Sequence, residues 1–150
     1  MPLGPEALST WRAFLEAHSR LVKLLAAELE EQCGLPLSWY DALVQLNEAG
    51  GMLRMSELAE RLLLSRSATT RFVDRLEVAG LIDRQIAEDD RRGMEVRLSE
   101  RGLEALRRAA PVHLAGVRRH FSDGFTNEEQ VLLGGLLRRL PVNPSVRFPS

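Results

Sequence analysis

The sequence predicts a mainly α-helical protein that carries one small β-hairpin. Three observations support this fold class. Apolar residues recur at steps of three and four in long segments near both ends of the chain, which is typical of amphipathic helices. Capping residues and glycines divide the middle of the chain into shorter helices. Between Leu81 and Leu98 the pattern changes from helical to extended, and apolar and polar residues alternate over 94–98, which indicates β-strands.

Length and composition favour a single domain over residues 1–150. The 150 residues are 45% hydrophobic, which is enough to build one packed core. No run of about 18 apolar residues occurs, and the N-terminus lacks the charged-then-apolar pattern of a signal peptide. We therefore expect a soluble, cytoplasmic protein without a membrane partner. Cys33 is the only cysteine, which excludes an internal disulfide and suits a reducing compartment.

The titratable residues do not form a catalytic or metal-binding pattern. His18, His113 and His120 are scattered, and none has a Ser, Cys or carboxylate at a recognisable catalytic spacing. We find no phosphate-binding glycine loop. The expectation is a protein without catalytic residues, metal or cofactor. The formal net charge is −1, so any DNA-binding surface has to be local.

The first predicted helix runs from Leu8 to about Leu29 and ends at residues 33–36. Phe14 and Leu21 make its apolar stripe wider than one packing neighbour requires. We therefore expect two packing partners, one of which could be a second copy of the chain. The stripe itself consists of Leu8, Trp11, Leu15, His18, Val22, Leu25 and Leu29.

Three shorter helices are predicted next. The first begins at Ser38, with Asp41 completing a capping box, and stops at the glycines 50–51. A short helix spans about 56–63. After a tight turn, another helix starts with Ser65 as N-cap and ends at Ala79, where Gly80 can take the left-handed conformation.

The C-terminal part combines the hairpin with two more helices. Strands are predicted at 81–87 and 94–98, joined by a polar tip at 88–93. A helix follows from Ser99 to about Phe121, with Pro111 expected to kink it. Thr126 and Glu129 form a capping box for a last helix reaching Leu140, and the tail after Pro141 is expected to fray.

A short helix, a tight turn, a second helix and a β-hairpin in this order predict a winged helix-turn-helix lobe over residues 38–98. The second helix of the pair, 65–79, is expected to be the recognition helix that contacts the DNA bases. Ala68, Phe72, Leu76 and Ala79 form its apolar stripe, and the opposite side carries Arg66, Ser67, Thr70, Arg71, Asp74 and Arg75.

The polar side of this helix suits DNA. Hydroxyls and the helix N-terminus, including Ser65, match phosphate oxygens, and Arg71 or Arg75 could contact a guanine edge through two hydrogen bonds. An alternative interpretation is that the arginines are merely solvated and that Asp74 pairs with a neighbour.

Two segments resemble the MarR family of transcription regulators. The run 65–82, Ser-Arg-Ser-Ala-Thr-Thr-Arg-Phe-Val-Asp-Arg-Leu-Glu-Val-Ala-Gly-Leu-Ile, is similar to that family's recognition helix. The run 90–102, Asp-Arg-Arg-Gly-Met-Glu-Val-Arg-Leu-Ser-Glu-Arg-Gly, is similar to its wing. The resemblance spans roughly 8–140 and is most specific over 56–102.

The resemblance implies a regulator, most commonly a repressor, that binds a pseudo-palindromic site in double-stranded DNA as a homodimer. Helices within 8–33 and 99–140 would form the dimer. The wing arginine Arg92 would enter the minor groove, Asp90 would orient it, and Arg91 adds a second cation. By geometry alone, an Asp-x-Arg tip could be only a salt-bridged turn.

Effector binding is a further expectation from the resemblance. Family members often bind small aromatic or anionic ligands between the dimer helices and the DNA-binding lobe. Trp11, His18, Trp39 and Tyr40 lie in helices that should border this cleft, and Arg20 could pair with an anion. Each of these residues is more often part of a core or of a surface. Cys33 lies at the end of the first helix, unlike the family's peroxide-sensing cysteine, so a redox role is the weaker interpretation.

The competing functional hypothesis is a winged-helix protein-interaction module without DNA binding. Such a module would not need Arg71, Arg75, Arg91 and Arg92 together on one side. The arginines therefore favour the DNA-binding hypothesis.

Overall fold

The computed structural model describes residues 2–88 and 93–140. Its described parts contain six α-helices, three β-strands and one 3₁₀ turn. In chain order these elements are α1 (Pro5–Cys33), α2 (Leu37–Glu48), β1 (Met52–Arg54), α3 (Met55–Leu62), α4 (Arg66–Val78), β2 (Ile82–Ile86), β3 (Met94–Leu98), α5 (Glu100–His120), the 3₁₀ turn Ser122–Gly124 and α6 (Asn127–Leu137).

The structure confirms a mainly helical winged helix-turn-helix, with α3 and α4 as the helix pair and β2–β3 as the wing. It adds one element that the sequence did not predict. Strand β1 joins the hairpin as a third antiparallel strand in the order β1-β3-β2, with Leu53 opposite Val96. Three residues are too few to show an alternating pattern, so this strand is defined only by its partner.

One apolar core lies beneath the helix pair and the sheet. Leu43 and Leu46 of α2, Leu58 of α3 and Leu76 of α4 are fully buried there. They belong to a cluster that also includes Leu29, Val73, Ile82, Val96 and Ala109. The core therefore holds α4 and the wing in a defined relative position.

The predicted capping box at Ser38 and Asp41 is wrong. Pro36 occupies the N-cap position of α2, no side chain caps this helix, and Ser38 lies inside it. The backbone N–H groups of Trp39 and Tyr40 instead donate to the Pro36 carbonyl. Proline fixes its own φ near the value that helix entry requires. The helix therefore begins directly after Pro36, and Ser38 lies too far along it to be the N-cap.

The other predicted caps are confirmed. Ser65 and Ser99 accept hydrogen bonds from Ala68 N and Gly102 N at 3.2 and 2.9 Å. Thr126 and Glu129 form the reciprocal capping box, although α6 ends at Leu137, earlier than predicted. Gly80 has φ 75°, as expected after α4. Pro111 lies inside α5, and the kink there stays a prediction.

The turn between α3 and α4 contains a residue in an unusual conformation. Leu63 ends α3 with φ 56°, and among the described residues it is the single non-glycine residue with positive φ. This left-handed conformation costs a branched residue about 1–2 kcal/mol. The packing of α3 and α4 therefore determines the geometry of the turn against local preference.

Helices α1 and α5 pack antiparallel. Cys33 Sγ at the end of α1 lies 3.9 Å from the Arg108 carbonyl oxygen. Earlier on α1, Glu28 forms a 2.5 Å hydrogen bond with His120 and a 2.8 Å ion pair with Arg119. These hydrogen bonds lower the pKa of Glu28, so the carboxylate is ionised at neutral pH. Gly116 permits the close approach, because a Cβ there would lie 2.8 Å from Glu28 Oε2.

The N-terminal half of α1 extends beyond α5, which ends opposite Glu28. Every residue from 2 to 20 is exposed, and we call the helical part of this segment, residues 5–20, the arm. At 1.5 Å per residue the arm is roughly 24 Å long. Large apolar side chains on it are nonetheless exposed: Leu8, Trp11, Phe14 and Leu15.

No described helix is long and apolar enough to span a membrane. Within residues 2–88 and 93–140, no three His, Cys, Asp or Glu side chains come together in a group that could hold a metal ion.

Candidate nucleic-acid interface

The N-terminus of α4 is held by hydroxyl groups. Ser65 Oγ accepts from Ala68 N, and Thr69 Oγ1 donates to the Ser65 carbonyl at 2.8 Å. Because its hydroxyl is satisfied within the helix, Thr69 can be buried with only 1% of its surface exposed. The first turn of α4 is thereby fixed on the core.

The buried side of α4 is rotated slightly from the predicted one. Thr69, Val73 and Leu76 are buried, whereas Ala68, Phe72 and Ala79 are only partly covered. The sequence pattern did not predict that Thr69 is buried, because threonine counts as a polar residue. The hydrogen bond from its hydroxyl to the carbonyl four residues earlier removes that polar character.

The opposite side of α4 carries the predicted DNA contacts. Ser65 is half-buried as the N-cap, and the other five predicted residues of this helix are exposed: Arg66, Ser67, Thr70, Arg71 and Arg75. The structure therefore brings these side chains onto one solvent-facing surface, which we call the α4 polar face. A protruding helix with arginines on its open face has the shape that a DNA major groove accepts.

Asp74 shares this polar face but is not a free carboxylate. Its Oδ1 lies 2.8 Å from Nη1 of Arg84 on β2. Arg84 also forms two side-chain hydrogen bonds to Glu77, at 3.0 and 3.2 Å. The alternative interpretation of Asp74, as the partner of a neighbouring cation, agrees with this contact.

A groove of about 380 Å³ lies beside the N-terminal half of α4. It separates the start of α3 from the base of the wing, and its lining includes Arg54, Ser56, Arg66, Thr69 and Met94. Two guanidinium groups and a hydroxyl at one groove suit phosphate oxygens. Sequence reasoning missed Arg54 and Ser56. A serine at the start of the first helix of the pair was the available signal, because helix N-termini in this motif lie near the DNA backbone.

The wing base is built from β2 and β3, which pair in register from Ile82 opposite Leu98 to Ile86 opposite Met94. The predicted tip contacts Asp90, Arg91 and Arg92 lie outside the described residues. Their roles remain those implied by the family resemblance.

The predicted effector residues occupy two separate places within one chain. Trp11, His18 and Arg20 lie on the exposed arm, where the rings of Trp11 and Phe14 stack at 6.1 Å and Arg20 pairs with Glu16. Trp39 is partly buried against the core of the lobe, and Tyr40 is buried with its ring 4.6 Å from that of His113. Burial raises the pKa of Tyr40, so the phenol stays protonated. Effector binding by these residues stays a prediction.

Comparison with known proteins places this architecture among regulators. The sequence model that describes the MarR family matches residues 34–93 of this chain. An uncharacterised HTH-type transcriptional regulator of Bacillus cereus is 31% identical over 116 residues, which cover 77% of this chain and 76% of that protein.

Two solved structures from Streptomyces coelicolor are also similar to this chain. AbsC, a MarR family transcriptional regulator, is 37% identical with a TM-score of 0.86, and the match covers 92% of this chain and 93% of AbsC. Sco3205, a MarR family transcriptional regulator solved in complex with DNA, is 34% identical with a TM-score of 0.89 over 99% of this chain and 96% of its own.

Proposed function

The chain belongs to the MarR family of transcriptional regulators, and on this premise we propose that it represses transcription by binding a pseudo-palindromic DNA site as a homodimer. It acts by binding rather than by catalysis, and because its target is DNA, it works in the cytoplasm. The observation that carries the proposal is the α4 polar face, where Arg66, Arg71 and Arg75 are exposed and Arg66 also lines the groove at the wing base.

The proposed DNA contacts divide between two elements. The α4 polar face enters the major groove, where Ser65, Ser67 and Thr70 contact phosphates and Arg71 or Arg75 contacts a guanine. At the wing tip, Arg92 enters the minor groove, oriented by Asp90 and accompanied by Arg91. This part of the proposal rests on the family resemblance.

Removing arginines from the two elements is expected to change DNA binding in different ways. Arg71→Ala or Arg75→Ala should flatten base preference at one position of each half-site, since a bidentate guanine contact contributes about 1–3 kcal/mol of discrimination. Arg92→Ala should weaken all sites nearly alike, and the slope of log affinity against log salt should fall by up to about 2 for two wings. Asp90→Ala should give a milder form of that defect.

The measurement starts by sequencing genomic DNA retained by the protein, which yields the operator and its half-site spacing. Affinity for the operator and for random DNA is then measured at several salt concentrations. Arg118→Ala is the matched control, because Arg118 is an exposed arginine of α5 outside the lobe. If Arg92→Ala binds both DNAs like the wild type at every salt concentration, the wing assignment is wrong. If the wild type retains no DNA at all, the interaction-module alternative gains support.

Dimerisation through the terminal helices accounts for the exposed apolar surface outside the lobe. Every residue of the arm is exposed in the part of the chain that the structure describes, and its large apolar side chains are Leu8, Trp11, Phe14 and Leu15. Helix α6 exposes Val131, Leu132, Leu136 and Leu137. Exposed apolar surface of this extent favours association, and a second copy of the chain would cover both regions.

We propose that a small aromatic or anionic effector releases the repressor from DNA. A ligand held between an arm residue such as Trp11 and the lobe residue Trp39 would change the spacing of the two α4 helices and weaken DNA binding by linkage. Titration with aromatic acids should reveal a compound that quenches tryptophan fluorescence and lowers operator affinity. Should every quenching compound leave operator affinity unchanged, the coupling does not exist.

A further inference from the structure

The second half of α4 carries two carboxylates next to the proposed DNA contacts. Asp74 shares the α4 polar face with Arg71 and Arg75, and Glu77 lies in the last turn of the helix. Both positions are unfavourable for an acid. A carboxylate near a helix C-terminus opposes the helix dipole, and a carboxylate near DNA repels phosphate.

One side chain from the wing contacts both carboxylates. Arg84 on β2 lies 2.8 Å from Asp74 through Nη1, and its Nη2 and Nε donate to the two oxygens of Glu77 at 3.0 and 3.2 Å. The backbone N–H of Arg84 donates to Glu77 as well, at 3.2 Å. The hydrogen bonds to Arg84 lower the pKa of Glu77, so both partners are charged at neutral pH.

The strand register puts Arg84 in place for this contact. Arg84 is opposite Val96 in the hairpin, so both side chains point to the same side of the sheet, and Val96 is fully buried in the core. The Arg84 side chain is 26% exposed, less than those of Glu77 and Asp74 at 38% and 50%. The guanidinium therefore lies between the sheet and α4, with the carboxylates on its outer side.

We propose that Arg84 masks the negative charge of Asp74 and Glu77, so that these two carboxylates do not offset the arginines of α4 that face DNA, and that it positions the wing against α4. The proposal rests on the DNA-binding function proposed above. Its main effect is on DNA affinity rather than on folding, because partly exposed ion pairs contribute little to stability.

Removing the Arg84 guanidinium should weaken DNA binding in a salt-dependent way. Arg84→Met keeps most of the side-chain volume but leaves two uncompensated carboxylates in each protomer. For a dimer we expect about tenfold weaker operator binding at about 0.1 M salt, where charges interact over about 10 Å. The difference from the wild type should shrink as salt is raised. Arg84→Lys, which keeps the charge, should stay within about threefold of the wild type at 0.1 M salt.

A rescue experiment separates charge masking from a purely structural role. Arg84→Met combined with Asp74→Asn restores the original local charge, and its operator affinity should return to within about threefold of the wild type. Arg84→Met combined with Glu128→Gln has the same net charge, but Glu128 is on α6, so this variant should stay weak. Arg97→Met, which removes another wing arginine whose partner Glu95 lies on its own strand, should show less than a threefold loss.

The outcomes are distinguishable by fluorescence anisotropy with labelled operator, with thermal unfolding as the folding check. Rescue by Asp74→Asn but not by Glu128→Gln supports masking. The proposal is overturned if Asp74→Asn fails to rescue, or if Arg84→Lys is as weak as Arg84→Met. If the wild type binds no DNA, the proposed function fails. If it binds DNA and Arg84→Met binds equally well, only the masking role fails.

Discussion

Replacing both Trp11 and Leu15 by glutamate is expected to convert the proposed dimer to a monomer and to weaken operator binding at least about 100-fold. The two residues are one helical turn apart on the arm and 56% and 45% exposed in the single chain. Their substitution therefore removes little packing within the protomer. In a dimer they would lie in an apolar interface, where unpaired carboxylates cost several kcal/mol.

DNA affinity falls because a monomer lacks the second DNA-binding lobe of the two-fold symmetric dimer. A dimer contacts two half-sites at once, so the second contact is made at high effective concentration. A monomer contacts one half-site and loses that advantage. Sedimentation equilibrium should report the mass of one chain, and operator affinity should fall although the lobe core remains folded.

The control for this experiment makes the same change in net charge at residues of α1 outside the apolar stripe. Ala13→Glu combined with Lys23→Gln alters residues that lie away from the stripe of Trp11 and Leu15. This variant should remain a dimer and bind DNA. A glutamate variant at 11 and 15 that still sediments as a dimer would show that the arm is not part of the interface.

Gly102→Ala is expected to lower the free energy of unfolding by about 3 kcal/mol. Gly102 is in the first turn of α5, where the helix meets the corner between α4 and β2. A methyl group there would overlap the Leu81 carbonyl oxygen and would lie 2.9 Å from Leu98 Cδ1. Backbone cannot move aside as a flexible side chain can, so relief requires a shift of the whole helix start.

Such a shift would break further interactions at the same corner. The Leu81 carbonyl accepts from Ser99 N at 3.2 Å, and Ser99 Oγ donates to the Gly80 carbonyl at 2.6 Å while it caps α5. Loss of a helix cap alone costs about 0.5–2 kcal/mol. Overpacking adds about 1–3 kcal/mol, so the two effects together cost about 1.5–5 kcal/mol, and the expected value of about 3 kcal/mol lies in the middle of that range.

Urea unfolding at fixed protein concentration measures this effect. Gly124→Ala is the matched control, because its added Cβ meets nothing within 4 Å and its φ is not positive. The control should unfold within about 0.5 kcal/mol of the wild type. An unchanged midpoint for Gly102→Ala would mean that α5 does not approach Leu81 as closely as described.

Local signals in the sequence accounted for most elements of the fold. Ser65, Ser99 and the Thr126–Glu129 pair marked helix starts correctly, because a side-chain cap is an interaction over three residues. The exposed residues of the α4 polar face also followed from helical periodicity. The wrong capping box at Ser38 and Asp41 had a local cause, because Pro36 starts α2 earlier. Two other errors arose where a nonlocal partner decides: β1 exists through its pairing with β3, and Thr69 is buried by packing that its polarity conceals.

By itself, the sequence determined the helix order, the hairpin, most of the caps and the arginines of the α4 polar face, since these depend on spacings of a few residues. The tertiary structure alone decided which residues meet across the fold. It brought Arg84 to Asp74 and Glu77, placed Gly102 against Leu81 and left the arm exposed within residues 2–88 and 93–140. The physical reason is that these contacts depend on how whole elements pack, and packing combines many weak interactions that no short segment encodes.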